Sequence, residues 1–268
     1  MSLCRALVYF DQGRIGLAVN LVAKLEMAGC TDPSTLGEYY NLKGLLVYRE
    51  IIQCRQDVAK VAAPGGPDVY TSPLPITPPA DPDAYTPLLE IATHYYHQSL
   101  MHHARVGDHH ALQGTCFNLG NLFLYAWSKG LALPQGEQSL ELGMKWVVQC
   151  EFICHKFGVG MDSVRSRIML LEIAMQSGFD MARLNEHTGD LFRNHASLEE
   201  MARATLAQAQ AIGNRLEQAE LYAILLRLAL QRGDYHEAAA CREKVLEAYR
   251  ELKRPDLARP FKAALPVG

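Results

Sequence analysis

Few of the features that usually give away a function are present in this chain. No apolar run approaches the roughly 20 residues that a membrane-spanning helix needs, so no membrane partner is expected. Charge of neither sign dominates: 26 Lys and Arg stand against 29 Asp and Glu, a formal net charge of −3. Nucleic acid demands a strong basic excess or a dense basic stripe, so direct nucleic-acid binding is not expected. Aromatic residues are not interleaved with basic ones, as a stacking platform for single strands would require. A Gly-rich phosphate loop of the P-loop or dinucleotide type is missing, and so is a G-x-S-x-G elbow. Asp162, Ser163 and His155 could be assembled into a notional triad, but helical cores bring such residues together by chance. The sequence therefore predicts neither an enzyme nor a cofactor. Ser2 to Phe10 is too short an apolar run for a signal peptide and meets Asp11 at once.

Cysteine is present in an odd number, seven, at positions scattered through apolar helical stretches. That pattern fits reduced thiols in a cytosolic protein better than a disulfide framework. Cys150 and Cys154 lie four apart on one helix face with His155 following. Core thiols are the simple expectation, and a metal or redox site is the alternative. Histidines gather at His94, His97, His102, His103, His109 and His110. His94 and His97 could share a helix face. The segment is read as a polar, partly exposed helix face, with a metal site as the alternative.

Strand signals are nearly absent too. What fills the 268 residues is apolar spacing of three and four, with 49% apolar and 21% charged residues, which predicts an all-α chain. The helices read as about five hairpins. Leu3–Gln12 pairs with Ile15–Met27 across Gln12-Gly13-Arg14, with Ala6, Tyr9, Gly13, Ala18, Val22 and Leu25 as its small and apolar set. A helix from Thr35 to about Val61 pairs with one from near Tyr85 to Val106. Between them Pro64 to Pro87 is dense in Pro, which disfavours helix, and reads as an exposed extended loop. The third hairpin begins at His110, crosses a Lys129–Gly136 loop, and ends with Glu137–Phe157. The fourth has Asp162 as N-cap, then Val164–Gln176, a segment 179–195 that departs from the pattern and reads as an extra helix, and Leu198–Ile212 opened by Ser197 and Glu200 as a capping box. The fifth is Arg215–Arg232 with Tyr235–Leu252, and Pro255 and Pro260 bracket a final turn.

The stretch Gln218–Ala248 joins a Leu-rich helix through Arg232-Gly233-Asp234-Tyr235 to a second helix carrying Ala238, Ala239 and Val245. The Gly ends the first helix, and Tyr235 is expected to wedge between the two. Tyr40, Gly44 and Val47, and the run Cys116-Phe117-Asn118-Leu119-Gly120-Asn121-Leu122-Phe123, supply the same aromatic, small and bulky positions. In these segments the chain resembles the tetratricopeptide repeat (TPR) superfamily. The stretch from Ala207 to Glu220 is similar to longer-helix TPR units of bacterial signalling regulators. The resemblance implies a right-handed α-α superhelix, one helical repeat domain over 1–268 with an insertion at 64–87. It also implies that the protein binds a protein or peptide in a concave groove lined by first helices. By the same resemblance Asn118, Asn121 and Tyr125 face the groove, joined by Arg165, Glu172 and Arg227, with Asn41 and Tyr48 on the other side. An Asn amide both donates and accepts, so it can satisfy a peptide main chain. Lys and Arg are thinner than in chaperone-tail clamps, which argues against capture of an acidic C-terminus. Two other readings stay open: the effector-sensing part of a bacterial transcriptional regulator, and a helical metal protein or enzyme. Ala258 to Val267 is a short, apolar cap, so self-association or a continuing chain is also expected.

Overall fold

Helix punctuation in this chain is written in Gly-Asp and Gly-Asn pairs. At Gly107-Asp108, Gly213-Asn214 and Gly233-Asp234 the Gly takes a left-handed backbone (φ 68°, 79° and 75°) that closes one helix. The next side chain then accepts the N–H of the residue three positions on: Ala111, Glu217 and Glu237. Lacking a Cβ, Gly meets no penalty in that conformation, and the Asx oxygen satisfies an otherwise orphaned donor. One dipeptide thus ends one helix and starts the next, which turns the chain back on itself.

The computed structural model describes residues 2–27, 31–61, 85–131, 133, 138–158 and 160–262. Within them the regular structure is helical: α1 Ser2–Asp11, α2 Ile15–Met27, α3 Pro33–Val61, α4 Thr86–Val106, α5 His109–Ser128, α6 Ser139–Phe157, α7 Gly160–Ser177, α8 Met181–Thr188, α9 Leu198–Ile212, α10 Arg215–Arg232, α11 Tyr235–Glu251 and α12 Pro255–Ala258, then a 3-10 turn Arg259–Phe261. The all-α reading holds, as do the extra helix α8 and the bounds of α9 and α10. Ser197 accepts the Glu200 N–H, and the Glu200 carboxylate reaches back to the N–H of Ala196.

Three local expectations are corrected. Asp162 is not an N-cap, because α7 already opens at Gly160. Thr86 and Pro87 belong to α4 rather than to the loop, since Pro is tolerated in a first helical turn, where its missing N–H has no partner to lose. The rest of the Pro-rich stretch, residues 64–84, lies outside the described residues. Tyr235 does not wedge between helices: it is 42% exposed at the first position of α11, while Ala238 and Val245 are the buried contacts and Ala239 faces outward.

The chain divides into two compact units, Met1–Gln149 and Cys150–Gly268, with the boundary inside α6. In the first unit α1 packs on α2, α3 on α4, and α4 on α5, while α1 meets α3 and α3 meets α5. Its main core joins Ile51, Leu89, Ala92, Tyr96, Leu119, Leu122 and Phe123. Close approach depends on glycine: a Cβ at Gly120 would lie 2.6 Å from a Val147 methyl carbon, and one at Gly143 would lie 2.6 Å from Leu124 Cγ. In the second unit α7 packs on α9, α9 on α10, α10 on α11, and α7 on α10. Within each unit neighbouring hairpins thus stack, α1 against α3 and α3 against α5 in the first, α7 against α10 in the second. The thiols of Cys116, Cys150, Cys154 and Cys241 are buried and unbridged, Cys4 is exposed, and Cys30 and the side chain of Cys54 lie outside the described set.

Candidate functional site

Two first helices of the first unit, α3 and α5, lie side by side, and the chemistry of their shared face follows from how they are aligned. Asn118 Nδ2 donates to Asn41 Oδ1 at 3.0 Å, a contact between residues 77 apart. Tyr48 and Tyr125 are separated by the same number and meet edge to face, ring centroids 5.6 Å apart. A constant offset over two turns means that the helices run parallel and in register. The intervening helix α4 returns the chain to its starting end, so parallel first helices are what a stacked hairpin array produces.

The face therefore carries a polar step, Asn41 with Asn118, and an aromatic step two turns on, Tyr48 with Tyr125. All four are half-buried. Burial pushes the Tyr48 phenol well above its usual range, and Tyr125 adds to the rise. Asn121, also half-buried, stands one turn beyond Asn118 on α5. Gly114, one turn before Asn118, borders open space where a Cβ would stand. The Asn41–Asn118 bond uses one amide hydrogen and one oxygen lone pair. The Asn41 amino group and the Asn118 oxygen are a donor and an acceptor suited to a peptide main chain.

Arg165, Glu172 and Arg227 lie in the second unit, also on first helices. Arg165 Nε donates to Glu217 Oε1 at 2.9 Å, and an Arg227 guanidinium nitrogen donates to Glu172 Oε1 at 3.2 Å. Both contacts join α7 to α10 and advance together along them, so this pair of first helices is parallel as well. The sequence reading missed Glu217 and Glu220. Burial, then Glu172 and Glu217, raise the Glu220 carboxyl to about 7, against the opposing pull of Arg165. A signal was available: Glu217 and Glu220 stand one turn apart at the start of α10, where an acid also favours the helix dipole. Because these charges already engage one another, a ligand here has to break ion pairs.

The histidine segment is only in part the polar face that its composition suggests. His94 and His97 are exposed, and His102 stacks on Tyr40 at 5.6 Å. His103 instead is fully buried. Among the described residues no group of three or more His, Cys, Asp or Glu is placed to hold a metal ion, and no helix is long and apolar enough to cross a membrane.

No family model matches the chain, and no curated protein is similar to it. Among solved structures it is similar to a "Circular tandem repeat protein with novel repeat topology and enhanced subunit contact surfaces", at 14% identity and a TM-score of 0.30, over 97% of this chain and 61% of that one. The chain thus spans about three fifths of that protein's length. Its own helix pairing defines the class, an all-α chain whose helices pack in neighbouring pairs.

Proposed function

We propose that the chain is a binding module, a TPR-like adaptor that holds an extended segment of a protein or peptide partner against the α3–α5 face. The observation that carries this reading is the Asn41–Asn118 bridge. Two amides from parallel helices meet half-buried beside an aromatic step, in the order that an extended peptide reads as main chain and then side chain. Such binding requires no chemical step. It needs a preformed surface whose donors and acceptors are already oriented, which lowers the entropy lost on association. Arg165, Glu172 and Arg227 supply a charged face on the second unit's first helices.

The test is a peptide-array screen with purified protein. Each bound peptide is then remade with single N-methylated backbone amides. Recognition through the main chain predicts that N-methylation at one or two positions weakens binding at least about tenfold, the equivalent of about 1.4 kcal/mol. Asn118→Ala/Asn121→Ala should weaken the parent peptide to a similar extent. Binding that ignores both changes would remove α3–α5 as the site.

A second reading has one observation in its favour. A polar cleft of about 460 Å³ opens beside α9, α10 and α11, lined among others by Gln210, Arg215, Gln218, Tyr222, Lys244 and Glu247. Mixed charge in a space of that size suits a small zwitterionic effector, as the sensing part of a regulator requires. A thermal upshift with free amino acids that is lost in Arg215→Ala would support it.

A further inference from the structure

His103, on α4, occupies an unusual position for an ionisable side chain. It has 0% exposure. Neither Nδ1 nor Nε2 has a hydrogen-bond partner among the described residues. Its ring lies directly over Gly37 of α3, where a Cβ would fall 2.5 Å from the ring carbon Cε1 and 2.6 Å from Nδ1. Gly37 is thus a notch in α3, and the imidazole fills it as an apolar plate would. Gly37 is one helical turn before Asn41.

A neutral imidazole tolerates such a seat, but an imidazolium does not. Its two N–H donors would be buried without acceptors, and an unpaired charge away from water is disfavoured far more than an unpaired neutral group. The ionisable groups around it do little to relieve this. On α4, His102 opposes a second positive charge, whereas Asp108, in the turn before α5, favours one. Asp108 is already occupied as the cap of α5, accepting from the Ala111 N–H. On α3, Glu38 next to Gly37 has its carboxyl raised, first by burial and then by Asp108, with His110 of α5 pulling it down. Burial of His103 is the largest influence on its own ring and lowers its affinity for protons.

We propose that His103 is a proton-operated latch of the α3–α4 hairpin: the neutral ring locks into the Gly37 notch, and protonation drives it out and loosens the helix that carries Asn41 and Tyr48. The direction follows from linkage. The unfolded chain takes up a proton at this residue near pH 6.5, while the folded chain resists it to a lower pH. The contribution is fully present above about pH 6.5 and is lost as pH falls from there toward the folded value, by up to about tenfold in the unfolding constant per pH unit. Glu38 acts in the opposite sense, since its raised carboxyl helps the folded state hold a proton. A difference between wild type and a His103 variant separates the two.

Two measurements test the latch, and neither uses a ligand, so a failure of the peptide-binding reading leaves them intact. In the first, histidine ring resonances of the labelled full-length protein are followed between about pH 8 and 5. His103 is expected to stay neutral to a pH below about 6.5, the usual imidazole value. In the second, urea unfolding is followed by tryptophan fluorescence, since Trp127 and Trp146 both lie in the first unit. The wild type is expected to lose stability on acidification by a component that His103→Leu lacks and His94→Gln retains. A His103 ring that titrates at the ordinary value in the folded protein overturns the proposal, as do parallel pH profiles for wild type and His103→Leu. If His103→Leu does not fold, the ring titration of the wild type alone decides.

Discussion

Replacing Gly44 with Ala puts a methyl group where α3 touches α4. The new Cβ would stand 2.6 Å from Tyr96 Cε1 and 2.8 Å from Cδ1 and Cζ. Carbon pairs prefer about 3.5–4.0 Å, so ring or helix must give way by about 1 Å. Tyr96 has no free direction: it is 0% exposed and packed among Ile51, Leu89, Leu119 and Phe123. Overpacking of this kind costs about 1–3 kcal/mol, and the better helix propensity of Ala returns about 1 kcal/mol. The net expectation is a loss of up to about 2 kcal/mol from the first unit. Gly114→Ala is the matched control. It is also within a helix, on α5, but no atom lies within 4 Å of its Cβ position. It should gain up to about 1 kcal/mol, while narrowing the face beside Asn118. Urea unfolding followed by tryptophan fluorescence reads both. If the two alanines shift the midpoint in the same direction, helix propensity rather than the Tyr96 contact governs, and the account of Gly44 as a packing notch is wrong.

Other outcomes follow from the same geometry. Glu151 is 2% exposed and accepts from Arg167 at 2.8 Å and from Ser163 at 3.1 Å; Arg167→Met should destabilise the second unit by about 3–5 kcal/mol by leaving a buried carboxylate without its cation, and adding Glu151→Gln should recover much of that in a denaturant titration. Glu220, raised to about 7, keeps its proton in the folded state after the unfolded chain has lost it, so wild-type stability should fall as pH rises from about 4.5 to 7; the fall should be smaller in Glu220→Gln, and carboxyl carbon shifts of the wild type should show the raised titration directly. A double-mutant cycle on Asn41→Ala and Asn118→Ala should give a coupling of about 0.5–1.5 kcal/mol, and a coupling near zero would mean that the amides do not hold each other in solution. Tyr235→Ala should change stability by less than about 0.5 kcal/mol, as its exposure implies, and a larger loss in thermal unfolding would restore the buried wedge that its place after Gly233-Asp234 suggests.

Much of the helix layout is determined locally, which is why the sequence alone predicts it. A Gly-Asp or Gly-Asn pair acts through its own backbone and the N–H three residues on, so the ends of α4, α9 and α10 and the start of α11 can be read without a neighbour. The capping box at Ser197 and Glu200 is equally local. Periodicity of three and four places Leu119, Leu122 and Phe123 inside, because any helix in water must cover that stripe. The alignment of first helices is partly legible as well: Asn41 and Tyr48, and Asn118 and Tyr125, are each seven apart, the spacing that keeps two residues on one face.

Tertiary structure alone decides which residues meet across that face and which are spent on one another. That Asn118 bonds to Asn41 depends on the register of α3 against α5, set by packing through α4 over a separation of 77 residues. That Arg165 and Arg227 are already engaged depends on carboxylates 52 and 55 residues away. Composition gives His103 the same standing as His94 or His97, but helical phase separates them, since His103 continues the stripe of Leu89, Ala92, Tyr96 and Ser99 along α4. What α4 by itself does not encode is the notch at Gly37 that receives the ring, because burial is a property of two surfaces brought together and each helix encodes only its own.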